Sequence, residues 1–115
     1  MNKPKRALSI RQPYAEMILR GEKKVEIRSG PTHIRERVYI YASKVPGEQK
    51  AFKKMKMAPG DLAVGVLVGT VEIVDCTKIQ ERKYHWRLSE PKRLAKHLKP
   101  VNRPQPRWFF PFEDE

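Results

Sequence analysis

The sequence predicts an α+β fold: a small, barrel-like sheet flanked by two or three short helices. Three observations carry this. Short alternating apolar runs recur along the chain, the β signal peaks in the Val- and Ile-rich stretch from Leu62 to Cys76, and helical spacing is confined to two short segments. A chain of 115 residues with this pattern is one domain over 1–115, long enough to bury a core without disulfides. Closing the sheet into a barrel is the natural way to remove its edges.

The elements follow in order. Residues 1–5 are polar and loose, and Ala7 to Ile10 reads as a short strand. A helix follows, with Pro13 suited to its first turn and Gly21 to the residue past its end. Tyr14, Met17, Ile18 and Gly21 share one face of it. Val25 to Ile27 alternates as a half-exposed strand, and Gly30-Pro31 ends it. Arg37 to Ala42 alternates again, with Val38, Ile40 and Ala42 opposite Arg37, Tyr39 and Tyr41. Glu48 to Met57 reads as a short basic helix with Phe52 and Met55 turned inward, followed by a turn at Pro59-Gly60-Asp61. Leu62 to Cys76 is too long for one ordinary strand, and Gly65 and Gly69 mark bends or bulges in it. Tyr84 to Leu88 is a further strand, and Pro91 to Lys99 reads as a short helical turn or loop. The four prolines of Pro100 to Phe112 prevent a regular helix. Trp108, Phe109, Phe110 and Phe112 strap that segment onto the core.

The formal net charge is +12, from 25 Lys and Arg against 13 Asp and Glu. The first sixty residues hold most of the surplus, with 15 basic and 5 acidic groups. A field of this sign gathers phosphate polyanions and speeds their encounter. Charge alone does not choose among nucleic acid, an anionic membrane surface and an acidic protein. No apolar run is long enough to span a membrane, and no signal peptide follows the basic start, so the cytoplasm is the expected compartment. Cys76 is the only cysteine and is expected as a buried structural thiol. His33, His85 and His97 lie far apart and show no ligand spacing, and there is no Gly-rich nucleotide loop, so neither metal nor cofactor is expected.

The informative segment is Ser9-Ile10-Arg11-Gln12-Pro13-Tyr14-Ala15, then the helix, then Gly21-x-Lys23-x-x-Glu26-x-Arg28. The helix is short, so its flanking segments return to one edge of the fold. If residues 24–28 form a strand, Lys24, Glu26 and Arg28 share one face, with Lys23 at the turn before it. Arg supplies planar, bidentate phosphate recognition, and Lys a point charge. Glu26 has two readings: an ion pair that orients Arg28 or a lysine, or a functional carboxylate that accepts from a base amino group or acts as a general base. Lys23 is a phosphate or base contact, a solvated lysine or, given a depressed pKa, a nucleophile. Tyr39, Tyr41 and Ser43 alternate with Arg37, which suits either base stacking or an ordinary sheet surface with Tyr packed under a helix. His85 and Trp86 form a similar pair, whereas Trp108 and its neighbouring Phe residues read as core.

These paired N-terminal motifs resemble the signature of the activating signal cointegrator homology (ASCH) domain family. Gly65 to Cys76 is similar to that family's central strand pair, and Pro91 and Trp108 to its closing segment. The resemblance covers nearly the whole chain. It implies a β-barrel related to the PUA fold of RNA-binding modules, with a charged cleft under the first helix lined by the Gly-x-Lys-x-x-Glu-x-Arg segment. It also implies nucleic-acid binding, mostly of RNA, while a few members are hydrolases of acylated cytidine or of RNA. Two departures are visible. Tyr14 stands where Trp is common, and Glu26 stands three residues after Lys23, where amidohydrolase members carry Thr.

The expectation is therefore a binding module for nucleic acid, with RNA or single strands favoured over duplex DNA. Its expected contacts are Ser9, Arg11, Gln12, Tyr14, Lys23, Lys24, Glu26 and Arg28, with Tyr41 and Ser43 further out. The alternative is a small hydrolase with Lys23 and Glu26 in the site. A third class is docking on an acidic protein through the proline-rich tail.

Overall fold

The computed structural model describes residues 3–112. Six strands and two short α-helices form a small α+β fold: β1 (Ala7–Ile10), α1 (Tyr14–Leu19), β2 (Val25–Arg28), β3 (Arg37–Ala42), α2 (Gln49–Lys54), β4 (Val66–Gln80), β5 (Lys83–Leu98) and β6 (Trp108–Phe109). A 3-10 turn at Pro59–Asp61 replaces the expected simple turn. The strands make one mixed sheet in the order β2-β5-β4-β3-β1-β6, with β1 parallel to β3 and every other pair antiparallel.

The sheet is open. No ladder among the described residues joins β2 to β1 or β6, so the hydrogen-bonded closure of a barrel is not made. The reason lies in the edges. β2 has four residues and β6 two, and the tail before β6 carries Pro104 and Pro106, which have no N–H to give a ladder. One side-chain bond spans the seam instead: Arg28 Nη2 donates to the Ser9 carbonyl at 2.9 Å.

β3 is buried on both faces. Val38, Ile40 and Ala42 join Leu8, Ile10, Ile18 and Trp86 in the larger core, beneath α1. Tyr39 and Tyr41 face the other way, into a second core with Ala7, Leu67 and Phe109. They are therefore not an exposed stacking surface, being 4% and 3% accessible. The tail covers them, as its aromatic cluster suggests: Phe109 packs edge-on to Tyr41 at 5.3 Å and Phe112 edge-on to Tyr39 at 5.9 Å. Trp108 lies flat on buried Trp86, with ring centroids 5.8 Å apart and planes at 9°.

β4 and β5 correct the sequence reading most. The Val-rich run is a single continuous strand, starting at Val66 and carried on to Gln80. Bulges rather than a break absorb its length, one of them beside Gly69. A Cβ at Gly69 would lie 2.6 Å from the Lys92 carbonyl, so only glycine lets β5 and α1 approach there. Pro91 to Leu98, expected as a helical turn or loop, continues β5 as strand. Pro91 is tolerated because it sits at a bulge: Thr70 faces Lys92 and Glu72 faces Ser89, and Glu90 takes a left-handed φ of 49°. Cys76 is half-buried against the larger core rather than enclosed in it. No helix among the described residues is long and apolar enough to cross a membrane.

Candidate functional site

The open seam of the sheet is a cleft of about 640 Å³. β1 and the start of α1 supply Ser9, Arg11 and Tyr14, and β2 supplies Glu26 and Arg28. The end of β3 and the following loop add Tyr41, Ser43 and Lys44, and the tail adds Arg103 to Arg107. Five cationic side chains line the cleft, Arg11, Arg28, Lys44, Arg103 and Arg107, against one carboxylate, Glu26, among the described residues.

Alternation along β2 explains the placement of the charged pair. Glu26 and Arg28 turn inward, while Ile27 is 53% exposed on the outer face. Glu26 is 8% accessible and held between two cations. Arg28 Nε donates to its Oε2 at 2.7 Å, and Lys23 Nζ lies 3.5 Å from its Oε1. The Arg28 guanidinium also lies over the Trp86 ring, 5.6 Å from the centroid. It is thus fixed from three sides, by a carboxylate, a carbonyl and an aromatic plane. The Lys23 ammonium sits over the Tyr14 ring at 5.7 Å.

Several expected contact residues instead build the cleft. Ser9 is the knot between its walls. Its Oγ donates to the Gln105 carbonyl at 2.6 Å, its N–H to the Arg107 carbonyl at 2.9 Å, and its own carbonyl accepts from Arg28. Gln12 is 2% accessible and does not line the cleft. Its Oε1 accepts from the Glu16 N–H at 3.0 Å, satisfying a first-turn donor that Pro13 at the N-cap has no side chain to meet. Its Nε2 donates to the Ala63 carbonyl at 3.0 Å. Lys24, expected on the face of Glu26 and Arg28, is exposed beside a separate hollow of about 250 Å³ that Lys23, Leu88 and Pro91 also line. β2 begins only at Val25, so strand alternation does not reach Lys24. Tyr41 contributes to the cleft wall, but its ring is buried.

Sequence reasoning missed Lys44, Arg103 and Arg107. The tail's signal was present: arginines flank Pro104 and Pro106, and alternating prolines hold that stretch extended. Its partner, Ser9, is 96 positions away from Gln105. Also missed was Glu16, a buried carboxylate on α1. Arg93 holds it with a fork of two bonds, 2.8 and 2.9 Å, and Arg20 adds a third at 2.8 Å. The hydrogen bonds from Arg93 hold the Glu16 carboxyl below the usual range against the opposing effect of burial, with Arg20 adding to the effect.

Comparison with known proteins adds to this geometry. The family model described as ASCH domain matches residues 8–105. Two curated relatives are both named Activating signal cointegrator 1. The human protein is 34% identical over 87 residues, which is 66% of this chain and 15% of the relative. The mouse protein is 36% identical over 80 residues, which is 60% of this chain and 14% of the relative. The match thus takes in a small part of each relative's length.

Proposed function

The chain belongs to the ASCH domain family, and from that premise we propose that it binds single-stranded nucleic acid, RNA in preference to duplex DNA, in the seam cleft. One observation carries this reading: five cationic side chains and one carboxylate line a single cleft beside the Tyr14 ring. Arg11, Lys44, Arg103 and Arg107 are exposed and meet phosphates. Tyr14 offers an aromatic plane to a base. Arg28 and Glu26 lie deeper and meet a base edge. A base edge is free to enter only when it is unpaired and unstacked, which favours a single strand over a duplex. We propose the cytoplasm as its compartment. The proline-rich tail acts here as a cleft wall, and an acidic protein partner docking on it is the competing use of that segment.

The test is fluorescence anisotropy with short single-stranded RNA over a range of salt. The expected result is affinity that falls with log salt by about 0.7 per phosphate contacted, weakened by Arg28→Ala. Absence of binding at low salt, or tight binding indifferent to salt, overturns the reading. The hydrolase reading rests on the 3.5 Å contact between Lys23 and Glu26. Turnover of acylated cytidine or RNA that is abolished by Lys23→Ala supports it, and turnover unchanged by that substitution removes Lys23 from any mechanism.

A further inference from the structure

We infer that a strand held in the seam cleft leaves it over α2, whose outward lysines form a second contact surface for the sugar-phosphate backbone. This extension rests on the cleft being the nucleic-acid site.

α2 turns Ala51 and Phe52 inward, and Phe52 is fully buried. Lys50, Lys53 and Lys54 are left exposed, and exposed Lys56 follows them just past the helix. Of the two acids that bracket the segment, Glu48 pairs with Lys50 at 3.4 Å, and Asp61 turns back to accept from the Ala58 N–H at 2.8 Å. Lys53, Lys54 and Lys56 have no ion pair among the described residues. Like charges three and four positions apart on a helix repel one another. Lys50, Lys53 and Lys54 therefore weaken α2 on their own, and the counter-charge they lack comes from a ligand.

The patch is continuous with the cleft. Exposed Arg11 and Lys44 line the cleft. From Lys44 the chain passes directly against Tyr14: the Gly47 N–H donates to the Gln12 carbonyl at 2.7 Å, and a Cβ at Gly47 would lie 3.0 Å from the Tyr14 ring. α2 starts two residues later, at Gln49. The chain from Lys44 to Lys50 reaches at most about 20 Å, and α2 is about 9 Å long. A stacked strand carries a phosphate about every 3.4 Å, so up to about eight nucleotides beyond the cleft span both stretches.

The chemistry of the patch selects its partner. A helix that lies on a membrane turns an apolar face outward, and a protein interface centres on aromatic or aliphatic side chains with lysine depleted. None of the exposed large apolar side chains among the described residues lies on α2, and its one aromatic ring, Phe52, points inward. Flexible point charges without an apolar centre suit a row of phosphates.

The test is fluorescence anisotropy with labelled oligouridylates of about four and about fifteen nucleotides, each titrated over a range of salt. The wild type should bind the long oligomer more tightly and with the steeper salt slope. Lys50→Gln, Lys53→Gln and Lys54→Gln combined should lower that slope by about 0.7 for each phosphate contact removed, about 2 in all, and leave the short oligomer within about twofold. Arg at the same three positions should keep the wild-type slope. The Gln variant should melt no lower than the wild type, because repulsion within α2 is relieved, so its loss of binding is not a loss of fold. A slope for the long oligomer that the Gln substitutions leave unchanged overturns the inference and leaves the cleft reading intact. An equal loss on both lengths also overturns it, since that marks a general field in place of a path. Phosphatidylserine vesicles that bind the wild type and not the Gln variant, with the RNA slope unmoved, assign α2 to a membrane and overturn it too. Loss with the Gln variant but none with Arg28→Ala overturns the cleft reading on which the path depends. Absence of binding to either oligomer at low salt overturns both.

Discussion

Arg93 forks onto Glu16 with two parallel charge-assisted bonds, Nη1 to Oε1 at 2.8 Å and Nη2 to Oε2 at 2.9 Å. The two residues are 77 positions apart, and their contact ties α1 to the far half of β5. Arg93 is half exposed and Glu16 is buried, so the pair belongs partly to the surface and partly to the core.

Glu16→Gln should cost about 1–3 kcal/mol of stability, since it weakens bonds from two arginines to a buried acceptor. Urea unfolding measures this. The acid limb carries a second signature. The folded-state pKa of Glu16 lies below the ordinary 4.5, so between those values the unfolded chain binds a proton that the native state does not. The stabilisation is therefore complete above about pH 4.5 and is lost as pH falls through the folded value. Stability should fall less steeply with acid in the Glu16→Gln variant than in the wild type. Parallel acid limbs for the two proteins would contradict this account.

The alkaline limb should report on Tyr39 and Tyr41. Burial pushes both phenols above the ordinary 10.0. Here the unfolded chain loses its protons first. The contribution is complete below pH 10 and disappears as pH rises through the folded values. Tyr41→Phe should flatten the fall in stability above pH 10, and phenolate absorbance should show late-titrating tyrosines in the wild type that join the ordinary population on unfolding.

Trp108→Ala removes the ring that lies flat on Trp86 and should destabilise the fold by about 2–4 kcal/mol, below the full cost of a wholly buried Trp because Trp108 is only half-buried. Its second effect should be on the cleft. Trp108 anchors the tail immediately after Arg107, so oligonucleotide affinity should drop even at temperatures where the variant remains folded. A melt and an anisotropy titration of the same sample separate the two effects.

Arg103→Ala combined with Arg107→Ala should lower the slope of log affinity against log salt by about 0.7 for each phosphate contact removed. Both side chains are exposed, so the melt should hardly move. A salt slope unchanged by the double substitution would remove the tail from the contact surface.

Several elements were legible because their signals are local. Gly21 stands just past α1 with φ of 79°, as a glycine stop requires. β1 and β3 have the bounds that their alternation marks. The inward pair Glu26 and Arg28 follows from a period of two along four residues. Pro91 to Leu98 was illegible for a related reason. A proline and a run of charges locally favour a loop, and what makes the segment strand is its pairing with β4, an interaction outside its own window. The same gap hid what covers Tyr39 and Tyr41, which is the tail of the last residues described and not a helix.

Charge, strand alternation and helix punctuation were thus properties of the chain alone, and they placed a carboxylate among cations on the short strand β2. The making of a cleft around that carboxylate depended on folding. Ser9 had to reach Gln105, Arg28 had to reach Ser9, and the sheet had to stay open between β2 and β1. Contacts of this kind depend on the register of a repeatedly bulged β4–β5 pair and on an edge with too few N–H groups to close. Each is a relation between segments distant in sequence, and local patterning says which face a side chain takes without saying what it will meet there.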